Sequence, residues 1–365
     1  MPRERRRKKR AKMRKGDLTG TKYFFVHACV EIVCFYLLRV HFPTVMAGGI
    51  ALAYDFVAFL PQGAIGDYMI RHKKIPFETI GNALMALSAL IILGCTGWIR
   101  FAGYLILGLG NAILHECGAI AAVADSEGRI FPSALFVAGG SFGVVIGQTM
   151  GTCQVSPYYL ILPLLLSEVL CLTAKTSLRK EHYPDFHVTD SKLSAGIILL
   201  IAFLVTAVRS YIGYAIPISW NKQLWQNFFL FFIMGAGKAL GGLMADKLGA
   251  RKTAFIGTLA AIPFLLFGEQ VMVVSCIGVF FFSMTMSITF AMCLSILKDN
   301  PGLAFGITTA GLFFGILPAF IVQPGRGVNI ALIILFSLLS YVLLRYSLKE
   351  HPAGGIVSDP QKKAT

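Results

Sequence analysis

GGLMADKLGARKTAF, residues 241–255, repeats the pattern of an earlier stretch, QGAIGDYMIRHKK at residues 62–74. Placing Asp67 on Asp246 sets a period of 179 residues; Gly63 then falls on Gly242, and His72-Lys73 on Arg251-Lys252. A period close to half of a 365-residue chain marks two homologous halves rather than a stack of short repeats. In both copies a glycine and an acid close an apolar run, and cations follow. Glycines let helices approach closely. An acid at a helix end beside loop cations can form a charge cluster that locks two bodies together in one state and releases them in another.

Outward from these two stretches the chain is a series of apolar runs. It is 56% hydrophobic and only 14% charged, outside the range of soluble domains. Runs of about 20 residues, long enough to cross a hydrocarbon core of ~30 Å, are expected at 22–40, 43–66, 76–96, 100–123, 129–151, 157–175, 193–215, 222–245, 253–269, 270–297, 302–324 and 328–346. The expected fold class is therefore an all-α polytopic membrane protein, with twelve transmembrane helices in two pseudo-symmetric six-helix bundles. Its expected parts are a basic arm (1–21), an N-terminal bundle (22–175), a linker (176–192), a C-terminal bundle (193–346) and a tail (347–365).

Charge sets the expected orientation. Of 33 lysines and arginines, 27 fall on one side of this layout and four (Arg39, Arg100, Lys222 and Arg326) on the other, with Arg209 and Lys238 inside spans. The positive-inside rule then places both termini in the cytoplasm, with the chain in the cell inner membrane. The start MPRERRRKKRAKMRK is expected to fix orientation and touch anionic headgroups of membrane lipids, with no nucleic-acid partner. It runs straight into a span without a small-residue cleavage site, so no cleavable signal is expected. Eight scattered cysteines without a CxxC pair point to neither disulfides nor a metal site.

The later copy of the repeat resembles the loop signature of the major facilitator superfamily, G-x-L-A-D-[RK]-x-G-[RK]-[RK], through Gly242, Met244-Ala245-Asp246, Lys247, Gly249 and Arg251-Lys252. The earlier copy departs from it, with Tyr68 at a cation position and Ile70 at the second glycine. The resemblance implies a conformational latch made of Gly63, Asp67, Lys73, Gly242, Asp246, Gly249, Arg251 and Lys252. HACVEIVCF (27–35), YDFVAFLPQGAIGD (54–67), GLGNAILHECGA (108–119) and FVAGGSFGVVIG (136–147) are similar to the fosmidomycin-resistance type within that superfamily. Exporters of the superfamily that couple to protons carry Gly-Pro in the fifth span, where this chain has Gly147-Gln148. In the fold so implied, spans one, four, seven and ten line a central cavity. Spans five and eight meet spans two and eleven across the moving interface. No enzyme activity and no cofactor are expected, a proton gradient is the expected energy source, and a monomer is the default expectation.

A charge near the bilayer centre costs ~3 kcal/mol or more unless it meets a partner or water, so each ionisable residue inside a span is a candidate. The first half offers His27 and Glu31, four apart on one helical face, with Asp55, His115, Glu116 and Glu168, and Asn111 one turn before His115; the second offers Arg209 and Lys238. Glu31 lies 36 residues before Asp67, and Arg209 lies 37 before Asp246, so an acid and a base hold nearly equivalent places. The implied cavity would gather His27, Glu31, Asn111, His115, Glu116 and Arg209. Glu31, His27, Glu116, His115 and Asp55 are the expected proton-coupling groups; Arg209, Asn111, Lys238 and Tyr211 are the expected substrate-binding ones. Arg209 is suited to an anionic group or to switchable pairing with Glu31. A fixed Glu31–Arg209 ion pair and a His115 that caps a carbonyl are the structural alternatives. Glycines 139, 140, 143, 147 and 151, and 235, 237, 241 and 242, are expected to form smooth faces for close packing against another helix, at the moving interface or as general membrane-helix packing.

These residues point to a proton-coupled secondary transporter of a small organic solute working by alternating access, leaning to efflux of an anionic or drug-like compound. A proton-coupled importer of a small organic anion or nutrient is the nearest alternative, and a non-transporting sensor or scaffold is one of another class. No GxxxxGK[ST] loop, Ser/His pair or metal-ligand cluster supports an ATPase or an intramembrane enzyme.

Overall fold

The computed structural model describes residues 14–41, 44–174, 180–190, 192–322 and 324–350; most of the basic arm and the tail beyond 350 lie outside the described residues. Within them, eleven helices are long and apolar enough to cross a membrane, and the helix Pro157–Thr173 is apolar but shorter. Together they fill the twelve expected places. The first half holds Lys15–His41, Thr44–Phe59 continued by Gln62–Arg71, Phe77–Gly94, Gly97–Ala124, Phe131–Thr152 and Pro157–Thr173. The second holds Ala195–Ala215, Leu224–Leu248, Ala250–Leu259 continued by Ala261–Phe267, Met272–Ser283 continued by Met286–Ile296, Pro301–Ile321 and Arg326–Ser347. The second span breaks at Leu60-Pro61, where proline can neither donate nor accommodate the preceding turn.

The largest boundary difference from the sequence reading is at the first span; the second also runs on to Arg71, five residues past its expected end. The first helix begins at Lys15, inside the stretch assigned to the basic arm. Gly16 and Gly20 explain the extension: a Cβ on either would strike the backbone of Asp125 or Pro132, so the extra turns lie tightly against the start of the fifth span.

The loops at 72–76, 125–130 and 297–300, the turn at Gly249 and both described chain ends share one side of the bundle, hereafter the latch face. The described part of the linker is stitched there to both halves. Lys180 pairs with Asp125 at 2.9 Å and Asp185 with Lys298 at 3.1 Å. Asp190 and Val188 exchange backbone hydrogen bonds with Ser347 and Lys349, both 2.9 Å.

The glycine stripes correct one expectation. Gly139, Gly140, Gly143, Gly147 and Gly151 pack the fifth span onto the first span of its own half, against Phe24, His27, Ala28, Ile32 and Arg39. The interface between the halves pairs span five with span eight and span two with span eleven. In the former Gly235 meets Phe142 and Gly242 meets Ala134. In the latter Gly63 faces Gly306 and Gly66 faces Gly302, and a Cβ on Gly302 would lie 2.5 Å from the Gly66 Cα. Small residues thus serve both to fuse two helices within a half and to bring backbones together between halves.

Gly143→Val is expected to destabilise the protein by ~1–3 kcal/mol through overpacking against the first span, seen as a lower Tm in detergent. Gly94→Ala, where a Cβ meets nothing within 4 Å, is the control and should leave Tm unchanged.

Candidate functional site

Two faces of the first half build a buried polar cluster. His27 and Glu31 lie one turn apart on the first span; Asn111 and His115 lie one turn apart on the fourth. The pairs meet around one carboxylate oxygen. Glu31 Oε1 accepts from Asn111 Nδ2 at 3.2 Å, and lies 3.2 Å from His115 Nε2 and 3.6 Å from His27 Nε2. The imidazoles touch edge to face, ring centroids 4.2 Å apart. Asn111 Nδ2 also donates to Tyr54 Oη at 2.7 Å, and Gln62 lies 3.4 Å from His115 Nδ1. Glu31 is only 5% exposed.

One hydrogen bond fixes the chemistry of this cluster. His27 Nδ1 lies 2.9 Å from the Phe136 carbonyl oxygen, which can only accept, so Nδ1 carries the hydrogen. In a neutral ring Nε2 then presents its lone pair to Glu31 Oε1. Two lone pairs cannot face each other at that distance without a cation between or upon them, and one proton on either group turns the contact into a hydrogen bond. The donor atoms of His27, Glu31 and His115 lie within 4.8 Å of one another, the one such trio of metal-type donors among the described residues. The sequence concealed it because 84 residues separate Glu31 from His115.

Opposite this cluster the second half presents cations. Arg209 is 8% exposed, its Nε has no partner, and among the described residues its guanidinium forms no ion pair. The Glu31–Arg209 pair weighed from the sequence is therefore not formed, because Glu31 is turned toward the fourth span of its own half. Lys238 reaches across from span eight to donate to Ser141 Oγ on span five at 2.8 Å, within electrostatic range of both Arg209 and Glu31. Asp55 is within electrostatic range of Glu31 without a hydrogen bond to it.

Two expected members point elsewhere. Tyr211 donates to Asn329 at 3.1 Å and packs on Phe336; with Tyr214, Pro324 and Asn329 it lines a separate cavity of about 260 Å³ on the side away from the latch face. Glu116, one residue past His115 and hence ~100° around the helix, faces Gly66 at the interface between halves. Glu168, the weakest candidate, accepts from Thr79 and Asn82 of the third span at 3.0 and 2.9 Å.

At the latch face each acid of the repeat reaches the start of a helix in the other half. Asp246 accepts from the backbone amides of Ile130 and Phe131, at 2.7 and 3.0 Å, where span five begins. Asp67 accepts from Asn300 Nδ2 at 2.8 Å, and Asn300 is the N-cap of span eleven, its side chain accepting from Leu303 N at 2.9 Å. The latch cations do not follow the expected pattern. Lys73 donates to the Lys180 carbonyl at 2.6 Å, Arg251 lies 3.5 Å from Glu350, and Lys252 has no ion pair among the described residues. Asp67 instead pairs with Arg71, one turn on in its own helix. Gly249 acts through its backbone: its φ of 92° joins two helices in a conformation other residues rarely adopt. Asn300-Pro301, an N-cap followed by proline at the first helical position, is the latch element that the sequence reading missed and that helix-start chemistry signals.

No protein-family model matches the chain. The fosmidomycin resistance protein of Escherichia coli strain K12 is 23% identical over 248 residues, which are 60% of this chain and 61% of that protein, so the match spans less than two thirds of the relative. The human organic anion transporter MFSD10 superposes with a TM-score of 0.68 at 15% identity, over 90% of this chain and 99% of that one. The Escherichia coli fucose:proton symporter FucP does so with a TM-score of 0.60 at 15% identity, over 90% and 97%. The chain has the major facilitator fold. The resemblance to the major facilitator superfamily and to its fosmidomycin-resistance type is thus borne out.

Asp246→Ala is expected to remove ~1 kcal/mol of capping, a shift of about fivefold toward the state open on the latch face. Distances between spin labels at Lys74 and Asp299 would read it.

Proposed function

We propose that this protein is a secondary transporter of a small organic anion, coupled to protons and working by alternating access. The observation that carries the reading is the arrangement at the centre: a Glu31–His27–His115–Asn111 cluster with one proton to place in the first half, opposite two cations that form no ion pair among the described residues in the second, buried Arg209 and half-buried Lys238. An uncompensated buried cation is costly, and an anion bound by Arg209 and Lys238 removes that cost. We assign the His27, Glu31 and His115 trio to a proton, because a single proton on Glu31 or on His27 Nε2 is enough to remove the facing lone pairs that the Phe136 contact imposes. Proton and anion then share one electrostatic region, so loading one alters the affinity for the other. With the latch face shut, exchange occurs at the opposite side; release of the Asp67 and Asp246 contacts lets the halves rock and the latch face open.

Efflux is favoured by the name of the curated relative, which confers fosmidomycin resistance, and an anionic substrate by the name of the human structural neighbour. Uptake is the second reading, favoured by Gln148 at the position after Gly147, where its side chain accepts from Asn227 at 3.3 Å across the halves. The 27-to-4 bias of lysine and arginine supports a cytoplasmic latch face with both termini on that side. A monomer and lipid contacts of the basic arm complete the proposal.

In an efflux-deficient bacterial host, the wild-type protein is expected to raise resistance to fosmidomycin and Glu31→Gln to abolish that protection at equal membrane expression. Wild-type protection unchanged in Glu31→Gln would overturn the coupling role; no protection by either would favour uptake. In purified protein, Arg209→Gln is expected to weaken anion binding by about 10–100-fold, the loss of one charge-assisted contact.

A further inference from the structure

Glu116 is fully buried at 0% exposure, and neither carboxyl oxygen has a hydrogen-bond partner. It plays no part in the cluster around Glu31. Its place is the closest approach of the two halves: a Cβ added to Gly66 would strike the Glu116 carboxyl on one side and lie 2.5 Å from the Gly302 Cα on the other. Gly66 precedes Asp67, and Gly302 follows Asn300 by two residues, so Glu116 lies directly beneath the latch.

Among the described residues the surroundings offer this carboxyl no counter-charge. The fifth span and the eleventh carry no charged residue within 131–152 or 301–321. On the second span Asp67 pairs with Arg71 and accepts from Asn300, while Asp55 lies near Glu31. On the first span His27 and Glu31 are turned to His115, and Lys15 and Asp17 pair with Asp125 and Arg129. Lys22 of the same span donates to the Thr173 carbonyl. Glu78 of the third span is within electrostatic range of Tyr23 and Cys117, and Cys117 is the thiol beside Glu116. None of these hydrogen-bonds to Glu116 among the described residues.

We infer that Glu116 is a conformational proton site: the latch face closes only over its neutral carboxylic acid, and its ionisation requires that the glycine contact between spans two and eleven part to admit water. A carboxylate sealed in that contact would be an unpaired buried charge, which a protein avoids by neutralising the group or hydrating it. The closed state therefore holds one proton more than the state open on the latch face. Raising the pH opens that face, by about tenfold in the closed-to-open ratio per pH unit once the open-state group is ionised. This goes beyond the transport reading, because it concerns the conformational equilibrium whether or not Glu31 couples a proton to substrate.

The test is the distance between spin labels at Lys74 and Asp299, followed from pH 5 to pH 9 in nanodiscs without added anion. Wild type is expected to pass from the short to the long distance as pH rises. Glu116→Gln and Glu116→Met are both expected to stay at the short distance throughout, with two variants guarding against a folding defect in one. The fosmidomycin-protection assay of Glu31→Gln reads the coupling role separately, so that failure of that role and failure of this inference are distinguishable. A wild-type response retained in both Glu116 variants, or a long distance at every pH in both, would overturn the inference.

Discussion

At the end of the second helix of each half, an acid reaches into the other half and satisfies the start of a helix there. The first amides of a helix have no partner within it, and their dipoles favour negative charge. Asp246 meets that need directly at Ile130 and Phe131, while Asp67 meets it through the N-cap Asn300. Both contacts bridge the two halves on the latch face. The weaker agreement of the first repeat with the signature has a structural counterpart, in that its acid works through an intermediate side chain.

Around those contacts, glycine does two different things. The stripe on span five removes the space between it and span one, so these helices pack backbone to backbone, with the buried Glu31 cluster where they meet span four. The glycines of spans two and eleven bring backbone against backbone between the two halves. The same residue therefore makes each half rigid and makes the contact between halves close without interlocking side chains. Charge is arranged in a complementary way: the first half satisfies Glu31 internally, which leaves Arg209 and Lys238 of the second half without ion pairs where the halves face each other.

Much of this was legible in the sequence because it rests on length and period. Twelve spans follow from apolar runs, the halves from the spacing of Asp67 and Asp246, and the meeting of His27 with Glu31, and of Asn111 with His115, from one-turn spacing. What was not legible depends on how each helix is turned about its axis, which packing decides. Glu116 left the cluster for that reason, Tyr211 turned to span twelve, and Glu31 found His115 rather than Arg209. The latch cations were misplaced because the linker and the residues after span twelve supply their partners, and no local pattern announces that.

The central claim is that the two latch contacts open together as one rocking motion. Hydrogen exchange of the amides at 130–134 and 300–304, read by mass spectrometry, tests it most directly. The account predicts that both segments are protected together, and that weakening either contact speeds exchange in both by the same factor. Exchange that rises in only the segment next to the altered residue would show two independent local frays and would contradict it.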